Sequence, residues 1–306
     1  MMRLDRVVVC VIAGLALAGA LVGCAKTGPE IARAPGSGKS PKAAPIVAMP
    51  PEPDSVTVGL WRFDERGGNH ATDASPFRLY GTSGPETRPE FGRFKGARGF
   101  TATAQSFVYM PYNPVMESPR GFSVEAWVYL NDVSRFELSM ITARWTPVPN
   151  EQSWFLGVVG RKLLPASTGT PSPGWFTPEV ALIGSGHLVF GFRPDLAAGS
   201  QSFGTTATLP LGRWVHVAAT VDGEVVRLYI DGRLDVQVAV PNGIRRSDAP
   251  LVVGNVLDPR RLTEFGSDLR MDPNNLPLPY YALNGSVDEL RISNVARTSF
   301  ETTGVR

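Results

Sequence analysis

Three observations predict an all-β domain built of two packed antiparallel sheets. Glycine (32) and proline (27) together approach a fifth of the 306 residues, which excludes a helical bundle or a coiled coil. Hydrophobic residues at 43% against 19% charged supply a sizeable core and exclude wholesale disorder. From Val56 onward about a dozen short segments alternate or run apolar between turn clusters, and none has convincing helical spacing.

The first strand candidates are VGLWRFD (58–64) and SFVYMPY (106–112). FSVEAWVYL (122–130) follows, with Phe122, Val124, Ala126, Val128 and Leu130 on one face and Ser123, Glu125, Trp127 and Tyr129 on the other, as a two-residue period requires. SWFLGVVG (153–160) and HLVFGFR (187–193) are apolar runs. WVHVAATV (214–221) and VVRLYI (225–230) alternate again around Asp222-Gly223-Glu224, a strong hairpin signal. Asp231-Gly232 turns the chain into LDVQVAV (234–240), and PLVVGN (250–255) and GSVDELRIS (285–293) complete the set.

Upstream of the domain the chain reads as an address and a tether. Arg3 and Arg6 precede an apolar run from Val7 to Gly23, the layout of a secretory signal (1–23) rather than a membrane span. Leu21-Val22-Gly23-Cys24 resembles the bacterial lipobox, in which the cysteine is lipidated and becomes the first mature residue. The resemblance implies that Cys24 carries a lipid anchor, that Cys10 is discarded and that no thiol remains for catalysis or bridging. Ala25 after the cysteine implies the outer membrane if the host is Gram-negative, and in either case a place in the bacterial cell envelope. Residues 24–55 are rich in Pro, Ala, Gly, Ser and Lys without apolar periodicity, so they are expected to form a flexible stalk. A formal charge of +2 with no basic stripe excludes nucleic acid as an expected partner.

GLWRFDE, FSVEAWVYL, GRWVHVAATVDGEVVRLYIDGRL, LVVGN and NGSVDELRISNVARTSFE occur in an order that resembles the laminin-G-like branch of the concanavalin A-like lectin/glucanase sandwiches. The resemblance spans roughly residues 58 to 302 of the 56–306 domain. It implies a jelly-roll of two curved antiparallel sheets with the first and last strands side by side. Fold alone does not specify function, since this scaffold hosts lectins, hydrolases and adhesion modules.

Calcium is one expected cofactor. Its hard-oxygen ligands would be Asp64 or Glu65 with Asp288, helped by carbonyls of the Gly67-Gly68 turn, and similar sandwiches hold a structural calcium in this region. Asp73, in the Asp73-Ala74-Ser75 turn, is a second candidate. The alternative is that these carboxylates cap turns and pair with Arg62 or Arg291. His70, His187 and His216 are scattered, so no transition-metal site is expected.

For recognition, the face of Glu125, Trp127 and Tyr129 offers an aromatic platform, against the reading that Trp127 is packed. Two long loops offer Trp175 (in 161–178) and Asn274, Asn275, Tyr280 and Tyr281 (in 256–283) as ligand contacts. Catalysis has less support. The Glu-x-Asp-x-x-Glu pattern of glucanases is absent, and Asp288 and Glu289 are expected on opposite faces of one strand. The leading expectation is a surface-tethered, non-catalytic module that binds a glycan or an envelope protein. A lipoprotein glycoside hydrolase or lyase and a purely structural envelope protein are the rivals.

Overall fold

The computed structural model describes residues 49–117, 121–161, 182–195, 199–240, 243–265, 268–272 and 281–300. The expected signal segment, Cys24 and most of the expected stalk lie outside these residues, as do Trp175, Asn274, Asn275 and Tyr280.

Eighteen strands follow one another along the described chain. They open with β1 (Thr57–Trp61), β2 (His70–Ala71), β3 (Gly81–Ser83), β4 (Thr87–Phe91), β5 (Gly96–Thr101) and β6 (Val108–Met110). Next come β7 (Phe122–Leu130), β8 (Leu138–Trp145), β9 (Gln152–Val159), β10 (His187–Phe192), β11 (Gln201–Thr208) and β12 (Trp214–Val221). The last are β13 (Val225–Ile230), β14 (Arg233–Ala239), β15 (Leu251–Val253), β16 (Leu262–Phe265), β17 (Asp268–Met271) and β18 (Asn284–Ser293). One eight-stranded sheet runs β14-β13-β12-β7-β18-β5-β4, with β1 also on β18. The other runs β11-β10-β9-β8-β15-β6-β3-β2, and β16 and β17 form a separate hairpin. All pairings are antiparallel, and the first and last strands are neighbours, with Leu60 opposite Arg291 and Trp61 opposite Leu290. The sandwich expected from the sequence is the one observed.

Alternation explains the layering. Phe122, Val124, Ala126, Val128 and Leu130 of β7 meet Trp154, Leu156 and Val158 of β9 and Leu188 and Phe190 of β10 in one core between the sheets. Each such side chain contributes roughly 1.5–3 kcal/mol when it leaves water. The β13–β14 turn is a two-residue loop with both residues at positive φ, Asp231 at 48° and Gly232 at 73°. That backbone matches the twist of the flanking strands and sets the register of the meander.

The middle strands of the second sheet are buried on both faces. Phe155, Val159 and Val189 point away from the central core and pack with Trp145, Val256 and Tyr281. Phe107 and Val252 do the same with Leu257 and Met271. Val256, Leu257, Met271 and Tyr281, described parts of the segment 256–283 expected as a recognition loop, therefore cover the sheet. Gln105 holds it by both ends of its amide, Nε2 donating to Met271 O at 2.7 Å and Oε1 accepting from Met271 N at 2.9 Å. Tyr281 is 1% exposed, and its carbonyl accepts from Met140 N at 2.8 Å. The expectation that Tyr281 contacts ligand is corrected, because burial on the sheet leaves the ring no access to one.

The expected boundary at residue 55 also shifts. Pro51 is buried, Arg62 pairs with Glu52 at 2.9 Å, and Arg297 Nη2 donates to Asp54 at 2.7 and 2.9 Å. The ordered domain thus takes in the end of the segment expected as a stalk.

Candidate functional site

The outer face of the first sheet is where open space and chemistry coincide. Its pairings place Trp214 opposite Tyr129, Tyr129 opposite Ser286, Ser286 opposite Gly99 and Gly99 opposite Arg88. Directly opposed residues share a face, so these five form one row across β12, β7, β18, β5 and β4. The row runs along a cleft of about 1010 Å³, whose lining includes Trp214, Tyr129, Ser286, Arg88, Glu90 and Phe91. Tyr129 and Trp214 meet edge to face at 5.6 Å and remain half-exposed, while Phe91 stands 95% exposed on the edge strand β4. Gly99 leaves room for Glu90 here: a Cβ at that position would lie 2.5 Å from the Glu90 carboxyl carbon, so a larger residue would displace that side chain. Glu90 lies across the glycine, takes a hydrogen bond from Ser286 Oγ and pairs with Arg88 at 2.7 Å.

The next row is closed. Trp127, opposite both His216 and Asp288, is buried under the β4–β5 turn. Phe94 meets its ring edge-on at 6.0 Å and the Arg93 guanidinium lies 4.9 Å above it. The aromatic platform expected from Glu125, Trp127 and Tyr129 is thus reduced to Tyr129. Glu125 is buried between His216 and Arg291: His216 Nε2 lies 2.9 Å from its Oε2, and Arg291 Nε donates to Oε1 at 2.8 Å. Burial alone would raise the Glu125 pKa, but the His216 and Arg291 contacts outweigh it and hold the group below its ordinary value. Phe300 covers this pair, 5.3 Å from the His216 ring and 4.9 Å from Tyr229.

Beside the cleft, Asp64 and Asp288 grip the same β4–β5 turn. Asp64 Oδ1 accepts from Gly96 N and Asp288 Oδ2 from Phe94 N, each at 2.9 Å. Strand β18 pairs with β5 up to Val287 and with β1 from Leu290, and a bulge fills the gap, with Glu289 at φ 50°. Val287, Leu290 and Ile292 enter the core, so Asp288 and Glu289 fall consecutively between inward residues. The strict two-face alternation expected for this pair fails at the bulge. Burial pushes Asp288 up to about 8, with Glu289 and Asp64 adding to the shift. It pushes Glu289 up to about 7, against the opposing pull of Arg62 at 3.1 Å.

Asp288 Oδ1 is buried without a hydrogen-bond donor, and a Cβ on Gly92 would lie 2.0 Å from Gly96 O, 2.2 Å from Phe94 O and 2.6 Å from Asp288 Oδ2. Hard oxygens therefore crowd one spot, as calcium requires. Among the described residues no three His, Cys, Asp or Glu side chains gather to hold an ion by themselves, so carbonyls would have to complete any shell.

Asp73 is different. Its Oδ1 accepts from Leu60 N and Ser75 N at 2.8 Å, and its Oδ2 accepts from Ser75 Oγ and Leu79 N at 2.7 Å. Four protein donors occupy the carboxylate, so the expected calcium role at Asp73 gives way to organising a turn. Asp73→Ala is expected to lower stability by roughly 2–4 kcal/mol, because it strands buried amides, and a denaturant titration measures it.

Trp214, Phe91, Ser286 and the Arg88–Glu90 pair were not anticipated from sequence. The alternation of WVHVAATV puts Trp214 on the outward face, but only the pairing register aligns it with Tyr129.

A laminin G-type profile of the concanavalin A-like lectin/glucanases superfamily matches residues 102–265. No curated protein matches the chain by sequence. Among solved structures, the binding domain of the Paraclostridial Mosquitocidal Protein 1 superposes with a TM-score of 0.53 at 13% identity, covering 81% of this chain and 50% of that one. The botulinum neurotoxin serotype G binding domain gives 0.53 at 12% identity, with the same coverages of 81% and 50%. The chain thus spans about half the length of these toxin domains. Domain 4 of an extracellular arabinanase from Geobacillus stearothermophilus, solved in complex with arabinotriose, gives 0.50 at 19% identity, covering 81% of this chain and 97% of that domain. At such identities the superpositions speak for the fold, whereas the profile covers more than half of the sequence. The chain, with its two facing sheets and adjoining terminal strands, therefore belongs to the concanavalin A-like lectin/glucanases superfamily.

Proposed function

We propose that this domain is a non-catalytic glycan-binding module held at a bacterial envelope by a lipid on Cys24 and the stalk that follows. The observation that carries the reading is the cleft floor, where the exposed faces of Tyr129 and Trp214 stand beside Ser286, Glu90 and Arg88. Sugar rings present apolar C–H faces to aromatic rings and hydroxyls to polar neighbours, and this floor supplies both. The arabinanase domain that shares the fold was solved with a bound oligosaccharide, and a related structure is titled for neurotoxin type C entry through two ganglioside molecules. Both support a glycan as ligand over a purely structural role.

Calcium enters this reading as a structural ion held by Asp64 and Asp288 with main-chain oxygens of the β4–β5 turn. It would neutralise the buried carboxylates and fix the wall of the cleft.

A glycan array probed with the purified chain is expected to give discrete hits. Trp214→Ala is expected to weaken the best hit at least about tenfold, with the melting temperature little changed. Release of reducing sugar from the same glycans would replace the binding reading with a hydrolytic one, and an array without hits would favour an envelope protein as partner.

A further inference from the structure

Strands β7 and β12 carry Tyr129 and Trp214 to the cleft at one end, and at their other end Phe122 pairs with Val221. A second hollow lies there. A slot of about 230 Å³ is lined by Met116, Phe122, Trp154, Val221 and Ile244. The Phe122 and Trp154 rings stack at 5.2 Å and belong to the central core, so the slot reaches into the apolar interior. Gly121, Gly223 and Gly243 also line it and bring no side chain to fill it. The slot adjoins a vestibule of about 620 Å³, because Glu117, Arg245 and Arg246 line both. Asn150, Ser247 and Asp248 give the vestibule polar walls.

Arg144 fixes this frame. It stands opposite Trp154 on the adjacent strand and is 2% exposed. Its Nη2 donates to Glu117 Oε1 and to Ser247 O at 2.6 Å each, and its Nη1 to Met116 O at 3.3 Å. Nε and Nη2 both reach Ala249 O at 3.4 Å. A buried charge tolerates such a place only when paired and hydrogen-bonded, and here the pairing ties residues 116–117 and 247–249 to β8. The walls of both hollows are therefore set before any ligand arrives.

The charges around the two hollows do not cancel. Arg144 and Glu117 neutralise each other. Arg245 Nη1 donates to the carbonyls of Asn150 at 2.8 Å and Gln152 at 3.5 Å, which leaves its charge unopposed. Arg246 and Asp248 are exposed, and among the described residues neither has an ion-pair partner. Three arginines thus stand against two acids. An apolar slot beside an excess of positive charge suits a ligand that is apolar at one point and anionic next to it. A long fatty acid fits poorly, since its tail would outrun the slot and leave Asn150 and Ser247 without partners. The last residue of a peptide fits throughout: its side chain matches the slot, its carboxylate matches the free guanidinium, and the amides before it match the polar vestibule.

We infer that this end of the sandwich binds the free C-terminus of a peptide or protein, with an apolar last side chain in the slot and its carboxylate on Arg246. The site shares no lining residue with the cleft and adds a second kind of partner to the glycan reading.

The test is fluorescence polarisation of the purified full chain with dye-labelled Gly-Gly-Gly-Phe as free acid, the same peptide as C-terminal amide, and Gly-Gly-Gly-Ser as free acid. Unlabelled decanoate and unlabelled Gly-Gly-Gly-Phe serve as competitors. The phenylalanine acid is expected to bind at least about tenfold more tightly than either its amide or the serine peptide. Arg246→Ala is expected to weaken it about tenfold, and Arg246→Lys by less. Arg246 is exposed and unpaired, so both variants should keep the wild-type melting temperature. Equal affinity for acid and amide, or for phenylalanine and serine, overturns the inference. So does an unaltered affinity in Arg246→Ala, displacement by decanoate at lower concentration than by the unlabelled peptide, or failure of all three peptides to bind. Each of these outcomes leaves the glycan reading standing, because that reading is tested at Trp214.

Discussion

Glu125→Ala is expected to cost roughly 3–5 kcal/mol of folding stability and to lower the melting temperature by about 10 °C or more. The reason is the company the carboxylate keeps. His216 and Arg291 approach it within 3 Å on a buried face closed by Phe300 and Trp127. Removing the anion leaves the Arg291 guanidinium buried without its counter-charge, and that desolvation cost, rather than the lost attraction, dominates. Glu125→Gln keeps the volume and one acceptor and should lose less. Urea unfolding of the two variants provides the measurement. A loss below about 1 kcal/mol for the alanine variant would mean that water reaches the group.

The second large effect is on pH. Asp288 and Glu289 have folded-state values raised to about 8 and about 7, against ordinary values of 3.8 and 4.5, with burial as the first cause of both shifts. The folded chain therefore binds more protons than the unfolded chain between about pH 4 and pH 8, and stability must fall as pH rises through that window. Below it both states are protonated and above it both are ionised, so the dependence ends at either side. In chelator the loss should amount to a few kcal/mol, on the order of one pKa unit per 1.4 kcal/mol before solvent relaxation reduces it. Asp288→Asn, neutral at every pH, should flatten most of the slope and raise stability at pH 8. Calcium added at pH 8 should restore the wild-type chain and leave the asparagine variant largely unmoved, because a ligand that binds only the folded state stabilises it. A wild-type melting temperature that is level from pH 5 to pH 8 in chelator would remove the buried-acid account, and one indifferent to calcium would remove the ion.

How much of this could be read beforehand depended on the side-chain period. β7, β12 and β13 appear at their expected bounds because each buries one face and leaves the other to polar or aromatic residues. β8 was missed although it is central. Ile141 serves the inner core while Leu138, Met140 and Trp145 serve the outer cluster, and Ser139, Thr142 and Arg144 are buried too, so the strand has no solvent face to mark it. β5, GARGFT, lacks side chains at two positions, and β4 carries Pro89, which an edge strand tolerates. Tyr281 was misjudged because a long Pro- and Asn-rich segment reads as exposed, and its packing on the second sheet is a tertiary fact. Asp73 was misjudged for a similar reason, since its four donors come from residues as distant as Leu60. Tyr129 was legible as an outward aromatic. Its neighbours in the cleft were not, because they belong to four other strands and only the register aligns them.

That shared row has a consequence for how the protein can change. Trp214, Tyr129 and Ser286 project outward from strands whose alternate residues, Val215, Val128 and Val287, make the core. Substitutions on the outward set leave the folding determinants untouched, so selectivity can be retuned at little structural risk. A single inserted residue in β12 would do the opposite, exchanging valines for the tryptophan in the interior and erasing both properties at once. Library selection at the outward positions should therefore return many soluble variants with new preferences, whereas libraries that vary strand length should return almost none.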